Sequence, residues 1–251
     1  MQPLESYPAL PCPYCISGNI EIDHQSFSAR MLSSKARKAY ADKFKDKEIA
    51  TLAKQEENNL LKMIAICMQV ANETYFQASH FISFFKCNIC EGNVSGTGFA
   101  QIPNQQSYGK ANIKIEKFNP PICLFPLHDT TPSSINEELL SSFNHFFSDT
   151  CSAGSRLRRA IEKLCYELGY AQGNLHRKIQ CMEQQFPQEA RWLESLKLVG
   201  NEAAHADRVT ESDLLDSYKI FEVVLDLFRR RELEEDIDCT AIKLENKYKK
   251  I

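Results

Sequence analysis

Two short cysteine pairs, Cys12-Pro13-Tyr14-Cys15 and Cys87-Asn88-Ile89-Cys90, constrain this chain more than any other feature. With two residues between the thiols, one tight turn can aim both sulfurs at a single ion, and two such knuckles supply four soft ligands. Four thiolates close a tetrahedral shell and leave no position for water or substrate. The expected role is therefore structural and the expected occupant zinc. About 70 residues separate the pairs, far more than in a simple finger. Loop-closure cost grows only logarithmically with length, so an inserted segment still lets its ends meet. Free thiols in two unrelated turns are the alternative.

The other cysteines, Cys67, Cys123, Cys151, Cys165, Cys181 and Cys239, lack the spacing of a disulfide framework. That usage suits a reducing compartment, and a cytoplasmic location is expected. Met1 to Leu10 does not have the pattern of a secretory signal, and no apolar run approaches the ~20 residues that cross a bilayer. A hydrophobic content of 43% over 251 residues suffices for one large core or two modest ones. The net charge of -3 excludes bulk attraction to nucleic acid and leaves only a regional one. The candidate strip is Arg30, Lys35, Arg37, Lys38, Lys43, Lys45 and Lys47, interleaved with Tyr40 and Phe44; a solvated helix face is the plainer account of it.

Residues 1-118 read as a zinc ribbon with an inserted helical stretch over about 33-72, where Leu60, Leu61, Ile64, Cys67, Met68 and Ala71 recur at helical spacing. Aromatic and β-branched residues flank the second knuckle, from His80 to Phe85 and from Val94 to Ile102, and predict a hairpin with Cys87 and Cys90 at its turn. Gly92, Gly96 and Gly98 suit that tight ribbon. A strand over Ala111 to Lys117 precedes Pro120, Pro121, Pro126 and Pro132, which mark a boundary.

Residues 119-251 read as a helical bundle. Thr131 followed by Pro132 predicts a capped helix start, with that helix running to about Ser148. Further helices are expected over about 152-168, stopped by Gly169, then after Asn174, over about 187-205, and from Thr210 with Asp213 completing a capping box. Leu214, Tyr218, Phe221, Leu225 and Phe228 form the seam of the last helix. The fold class is thus α+β, mainly α.

The stretch from Leu196 to His205 carries the candidate binding residues. Gly200 and Ala204 fall within about 20° of Leu193 on a helical wheel, a smooth face that suggests a close helix crossing. Lys197 lies about 40° from Leu193, inside the apolar stripe, where a charge needs a partner. Asn201 and His205 follow at intervals of four, so the three could line one groove. Arg158 projects at the rim of the second helix while Arg156 and Arg159 point away, and the two rims are expected to meet. His80, His128, His145 and His176 read as isolated.

These elements resemble the domain-of-unknown-function family 4145, often preceded by a zinc ribbon. The resemblance rests on the two cysteine pairs, on Leu157 to Cys165 (Leu-Arg-Arg-Ala-Ile-Glu-Lys-Leu-Cys), and on Lys197 to His205 (Lys-Leu-Val-Gly-Asn-Glu-Ala-Ala-His). Such proteins typically show arginine, two apolar residues, Gly-Asn and a histidine four residues on; here Lys197 replaces the arginine and its bidentate fork is lost. The family is similar to the HEPN group of helical bundles, some of which are metal-independent RNases with an Arg and a His about one turn apart. No arginine lies four to six residues ahead of His205, so that signature is absent. The resemblance implies an accessory or sensor role in bacterial phage defence or nucleic-acid processing.

Together these readings predict a non-catalytic module. Its zinc is held by Cys12, Cys15, Cys87 and Cys90, and a groove of Arg158, Lys197, Asn201 and His205 binds a protein partner, a second copy of the chain or a phosphate-bearing ligand. The alternatives are an RNase using His205 and Arg158, and a DNA-binding ribbon.

Overall fold

The computed structural model describes residues 1-15, 17-40, 63-64, 76-103, 110-205 and 209-249, without the side chains of Ala204 and His205. The chain divides into two compact units, Met1–Pro120 and Pro121–Ile251.

The first unit is a seven-stranded antiparallel sheet made of β1 (Gln2–Pro3), β2 (Leu10–Pro11), β3 (Asn19–Ile22), β4 (Ser28–Met31), β5 (Phe76–Cys87), β6 (Asn93–Pro103) and β7 (Asn112–Asn119). The order is β1-β7-β6-β5-β3-β2, and β4 also pairs with β5. Alternation in β5 explains its placement. Phe81, Ser83, Phe85 and Cys87 are buried, while His80, Ile82, Phe84 and Lys86 are exposed, as expected of a strand with one face on a core. Phe85 packs edge-on against Phe118 with Ile20, Val94 and Leu4 buried in the same unit. The register shifts between Thr97 and Gly98, where a Cβ would collide with the carbonyl of Lys114; glycine there lets β7 approach.

Beyond β4, Ser33 caps α1 (Ser34–Ala39) by accepting from the Ala36 N–H. Ala36 packs on Leu32, Ala78 and Phe99. The expected helix therefore begins as read. Its continuation, including Lys43, Phe44, Lys45, Lys47 and the stripe Leu60, Leu61, Cys67, Met68 and Ala71, lies outside the described residues.

The second unit holds α2 (Ser133–Phe146), α3 (Thr150–Glu167), α4 (Leu175–Met182), α5 (Pro187–His205) and α6 (Glu211–Tyr248). They share one core that includes Leu139, Phe143, Leu157, Ile161, Leu164, Leu193, Leu214, Phe221 and Leu225. Asp149 starts α3 by accepting from the Cys151 and Ser152 N–H groups, and Asn174 starts α4 through the Arg177 N–H. Gly169, at φ +95°, reverses the chain after α3, a conformation that costs glycine little. Thr210 and Asp213 form the reciprocal capping box of α6.

One expectation is corrected here. Thr131 does not cap α2: Pro132 occupies the cap position at φ -52° and ψ 138°, and no side chain bonds the first turn. Proline's fixed φ serves the turn into the helix rather than its first turn. The Thr131 carbonyl instead accepts from Asn136 Nδ2 at 3.2 Å. Arg156 and Arg159 turn away from the Arg158 side of α3 and toward α2. Both reach Glu138 of α2, at 3.1 and 2.7 Å, and Glu138 is only 8% exposed. A carboxylate facing the core edge needs cations, and two arginines on the neighbouring helix provide them.

Candidate metal centre and helix crossing

The first knuckle joins β2 to β3 and the second joins β5 to β6. Pairing of β3 with β5, with Ile20 opposite Cys87, sets the two turns side by side. Asn88 fastens them: its N–H donates to the Asn19 carbonyl and its Oδ1 accepts from the Asn19 N–H, both at 3.0 Å. The result is a cluster in which all four Sγ atoms lie within 4.8 Å of one another. Cys12 to Cys90 and Cys15 to Cys87 are each 3.7 Å apart, so each contact crosses between knuckles.

That separation distinguishes the chemistry. A disulfide requires ~2.05 Å, whereas a tetrahedron of sulfurs ~2.3 Å from a central ion has edges of about 3.8 Å. The donors present can hold a metal ion, and all are sulfur. Backbone amides reinforce the arrangement, since the Tyr14 N–H donates to Cys12 Sγ and the Ile89 N–H to Cys87 Sγ, each at 3.4 Å. Gly18 and Gly92 leave the space: a Cβ at Gly18 would stand 2.5 Å from Cys87 Sγ, and one at Gly92 2.5 Å from the Tyr14 ring.

The thiols also polarise one another. Burial acts to raise Cys87, but the Cys90 and Ile89 backbone N–H groups and the neighbouring sulfurs bring it down to about 6. At Cys90 the Gly92 N–H acts to lower the value, yet burial and the three other sulfurs push it up to about 12. One thiol ionises readily and the last resists, which is the repulsion a dication relieves.

In the helical unit, α3 and α5 cross through a reciprocal pair of small residues. A Cβ on Gly200 would meet Arg158 Cβ at 2.8 Å, and one on Gly154 would meet Ala203 Cβ at 2.6 Å. Sequence singled out Gly200, but Gly154 carried no comparable signal. The close approach joins Arg158 to Asn201, the guanidinium donating to the amide oxygen, while Arg158 Nε lies 3.5 Å from Glu162. The two rims thus meet, with Glu162 as an added member.

Lys197 finds its partners on α4 and its own helix. Its ammonium lies 3.0 Å from His176 Nδ1 and also pairs with Glu194, whose Oε1 stands 2.7 Å from the same ring nitrogen. His176 is therefore not isolated. Burial acts to raise Glu194, but the Lys197 ammonium and His176 hold its carboxyl below the ordinary range. Proximity in sequence gave no sign of this contact, because 21 residues and a turn separate His176 from Lys197. The side chain of His205 lies outside the described residues. Of the basic strip, Arg30 lies on β4, opposite His80 of β5, while Lys35, Arg37 and Lys38 lie on α1.

No helix among the described residues is long and apolar enough to cross a membrane. Comparison with curated proteins returns no match, and neither does comparison with solved structures. Residues 141-251, from within α2 to the end of the chain, match the model of the family described as Domain of unknown function (DUF4145).

Proposed function

We propose that the chain is a zinc-stabilised, non-catalytic recognition module, an accessory of a bacterial defence or nucleic-acid-processing system. The observation that carries this reading is the all-sulfur cluster, whose four donors complete a tetrahedral shell and leave no site for a reacting water. Zinc would be held by Cys12, Cys15, Cys87 and Cys90 and would lock β3 and β5 together at their ends. Recognition falls to the rim where α3 crosses α5. Arg158 and Asn201 form its centre, while Lys197, engaged with Glu194 and His176, contributes from beside it; His205, the last residue of α5, joins this set by its spacing of four from Asn201. Arg158 retains part of its exposure, and its guanidinium carries more donors than its contacts with Asn201 and Glu162 use, which suits a phosphate or carboxylate on a partner. The defence context comes from the resemblance of the bundle to its family.

A second reading is favoured by one contact, that of Arg158 with the helix that ends in His205. It is a metal-independent RNase with His205 as proton carrier and Arg158 stabilising the phosphorane. Labelled RNA incubated with the full chain without added metal separates the two. Intact RNA supports the module; cleavage abolished by His205→Ala and by Arg158→Ala supports the enzyme. Salt-dependent DNA retention lost on changing Arg30, Lys35, Arg37 and Lys38 to Glu would favour the ribbon as a DNA contact instead.

A further inference from the structure

Beyond Arg230, which pairs with Glu189 of α5, the outer half of α6 has no packing partner among the described residues. From Arg229 to Lys249 every residue is exposed, and Leu233, Ile237, Leu244 and Tyr248 are 53%, 65%, 53% and 62% exposed. At 100° per residue, these four and Ala241 fall within about 80° of arc. This stripe is turned by about 140° from the one that Leu214, Tyr218, Phe221, Leu225 and Phe228 bury in the bundle. It is therefore a separate face. A polar helix of this length without tertiary support is marginal in water, and an apolar stripe along it is the pattern of a helix that pairs.

Charge identifies the occupant. Between 232 and 238 stand Glu232, Glu234, Glu235, Asp236 and Asp238 with no base, whereas between 243 and 249 Lys243, Lys247 and Lys249 outnumber Glu245. The stripe thus runs from strongly acidic to basic. A second copy laid parallel sets acidic block on acidic block, within a Debye length of ~8–10 Å. Laid antiparallel, it sets the acidic block of each on the basic block of the other.

We propose that this chain forms a homodimer in which the outer halves of two α6 helices pair antiparallel about a two-fold axis near Thr240. That axis places Leu233 beside Tyr248 and Ile237 beside Leu244, each contact occurring twice as two-fold symmetry requires. Asp236 and Lys247 stand just outside one edge of the stripe, with Glu232 and Lys243 further round the same side, and in an antiparallel pair that side meets its own copy; outside the other edge Glu234 and Glu245 oppose each other as like charges, so the complementarity lies on the first side alone. The seam from Leu233 to Tyr248 spans ~23 Å at 1.5 Å per residue, so association is weak and depends on concentration. The proposal is independent of the metal centre and of the α3–α5 rim.

The test is sedimentation velocity of the full chain over a concentration series, with Trp192 emission confirming that each variant keeps a folded bundle. The native chain should dimerise. Ile237→Glu should weaken association by at least about tenfold, as should Glu232→Lys with Asp236→Lys in one chain and Lys243→Glu with Lys247→Glu in another. An equimolar mixture of the two charge-reversed chains should dimerise again. A native monomer throughout, a dimer indifferent to Ile237→Glu, or a mixture that stays monomeric would each overturn the proposal.

Discussion

Single residues decide whether the sulfur cluster exists. Gly18 is the sharpest case, because a methyl there would sit 2.5 Å from Cys87 Sγ and 3.1 Å from Cys15 Sγ. Gly18→Ala should therefore release metal to a chelator at least about tenfold faster than the native chain, while leaving all four ligands in place; a colorimetric zinc-release assay measures it. Cys12→Ser removes a ligand outright and should lower bound metal from one equivalent to near zero. In the helical unit the equivalent position is Gly200. Alanine gains ~1 kcal/mol of helix propensity but drives Cβ into Arg158 at 2.8 Å. Overpacking of this kind costs ~1–3 kcal/mol, so a net loss of up to about 2 kcal/mol is expected in denaturant unfolding followed through Trp192. Trp192 is the only tryptophan and packs on the bundle core, so its emission reports that unit alone.

At the scale of elements, the helices depend on their caps, and those caps titrate. Asp149 is held below its ordinary value by the Ser152 hydroxyl and N–H, and Asp213 by the Thr210 hydroxyl and N–H. Glu194 is lowered by Lys197 and His176 despite its burial. A carboxyl lowered in the folded state stabilises above its unfolded value, 3.8 for Asp and 4.5 for Glu, and loses that contribution as pH falls through the folded value. Glu222, raised by burial and by Asp226, works in the opposite direction. The three lowered groups change nothing between pH 7 and 5, where only Glu222 acts and acidification relieves its cost; below about pH 4.5 the three lose their contribution, so the Trp192 melting temperature should decline there. A melting temperature that does not fall below about pH 4.5 would contradict the capping account.

The same elements show what was legible from sequence. Asn174, Gly169 and the Thr210–Asp213 box are local signals, because a cap and its helix lie within three residues, and the structure has each of them. The hairpin with Cys87 at its turn was readable for the same reason. Contacts between helices were not. Glu138 with Arg156 and Arg159, and His176 with Lys197, join residues 18 to 21 apart whose meeting depends on how helices dock. Arg158 with Asn201, 43 residues apart, was approachable only because Gly200 signalled a crossing on one side.

For the whole molecule, sheet and bundle are distinct units, and a metal held by the four sulfurs would belong to the sheet. Removing it with a strong chelator should unfold β3 and its neighbours, seen as lost strand signal in circular dichroism, and leave the Trp192 transition within about 2 °C of its native temperature. The central claim is that sulfurs from two distant stretches close around one ion. X-ray absorption at the zinc edge, with metal analysis of the purified chain, tests it most directly. The account predicts one zinc per chain with four sulfur neighbours at ~2.3 Å; a chain without stoichiometric metal, or a first shell containing nitrogen or oxygen, would contradict it.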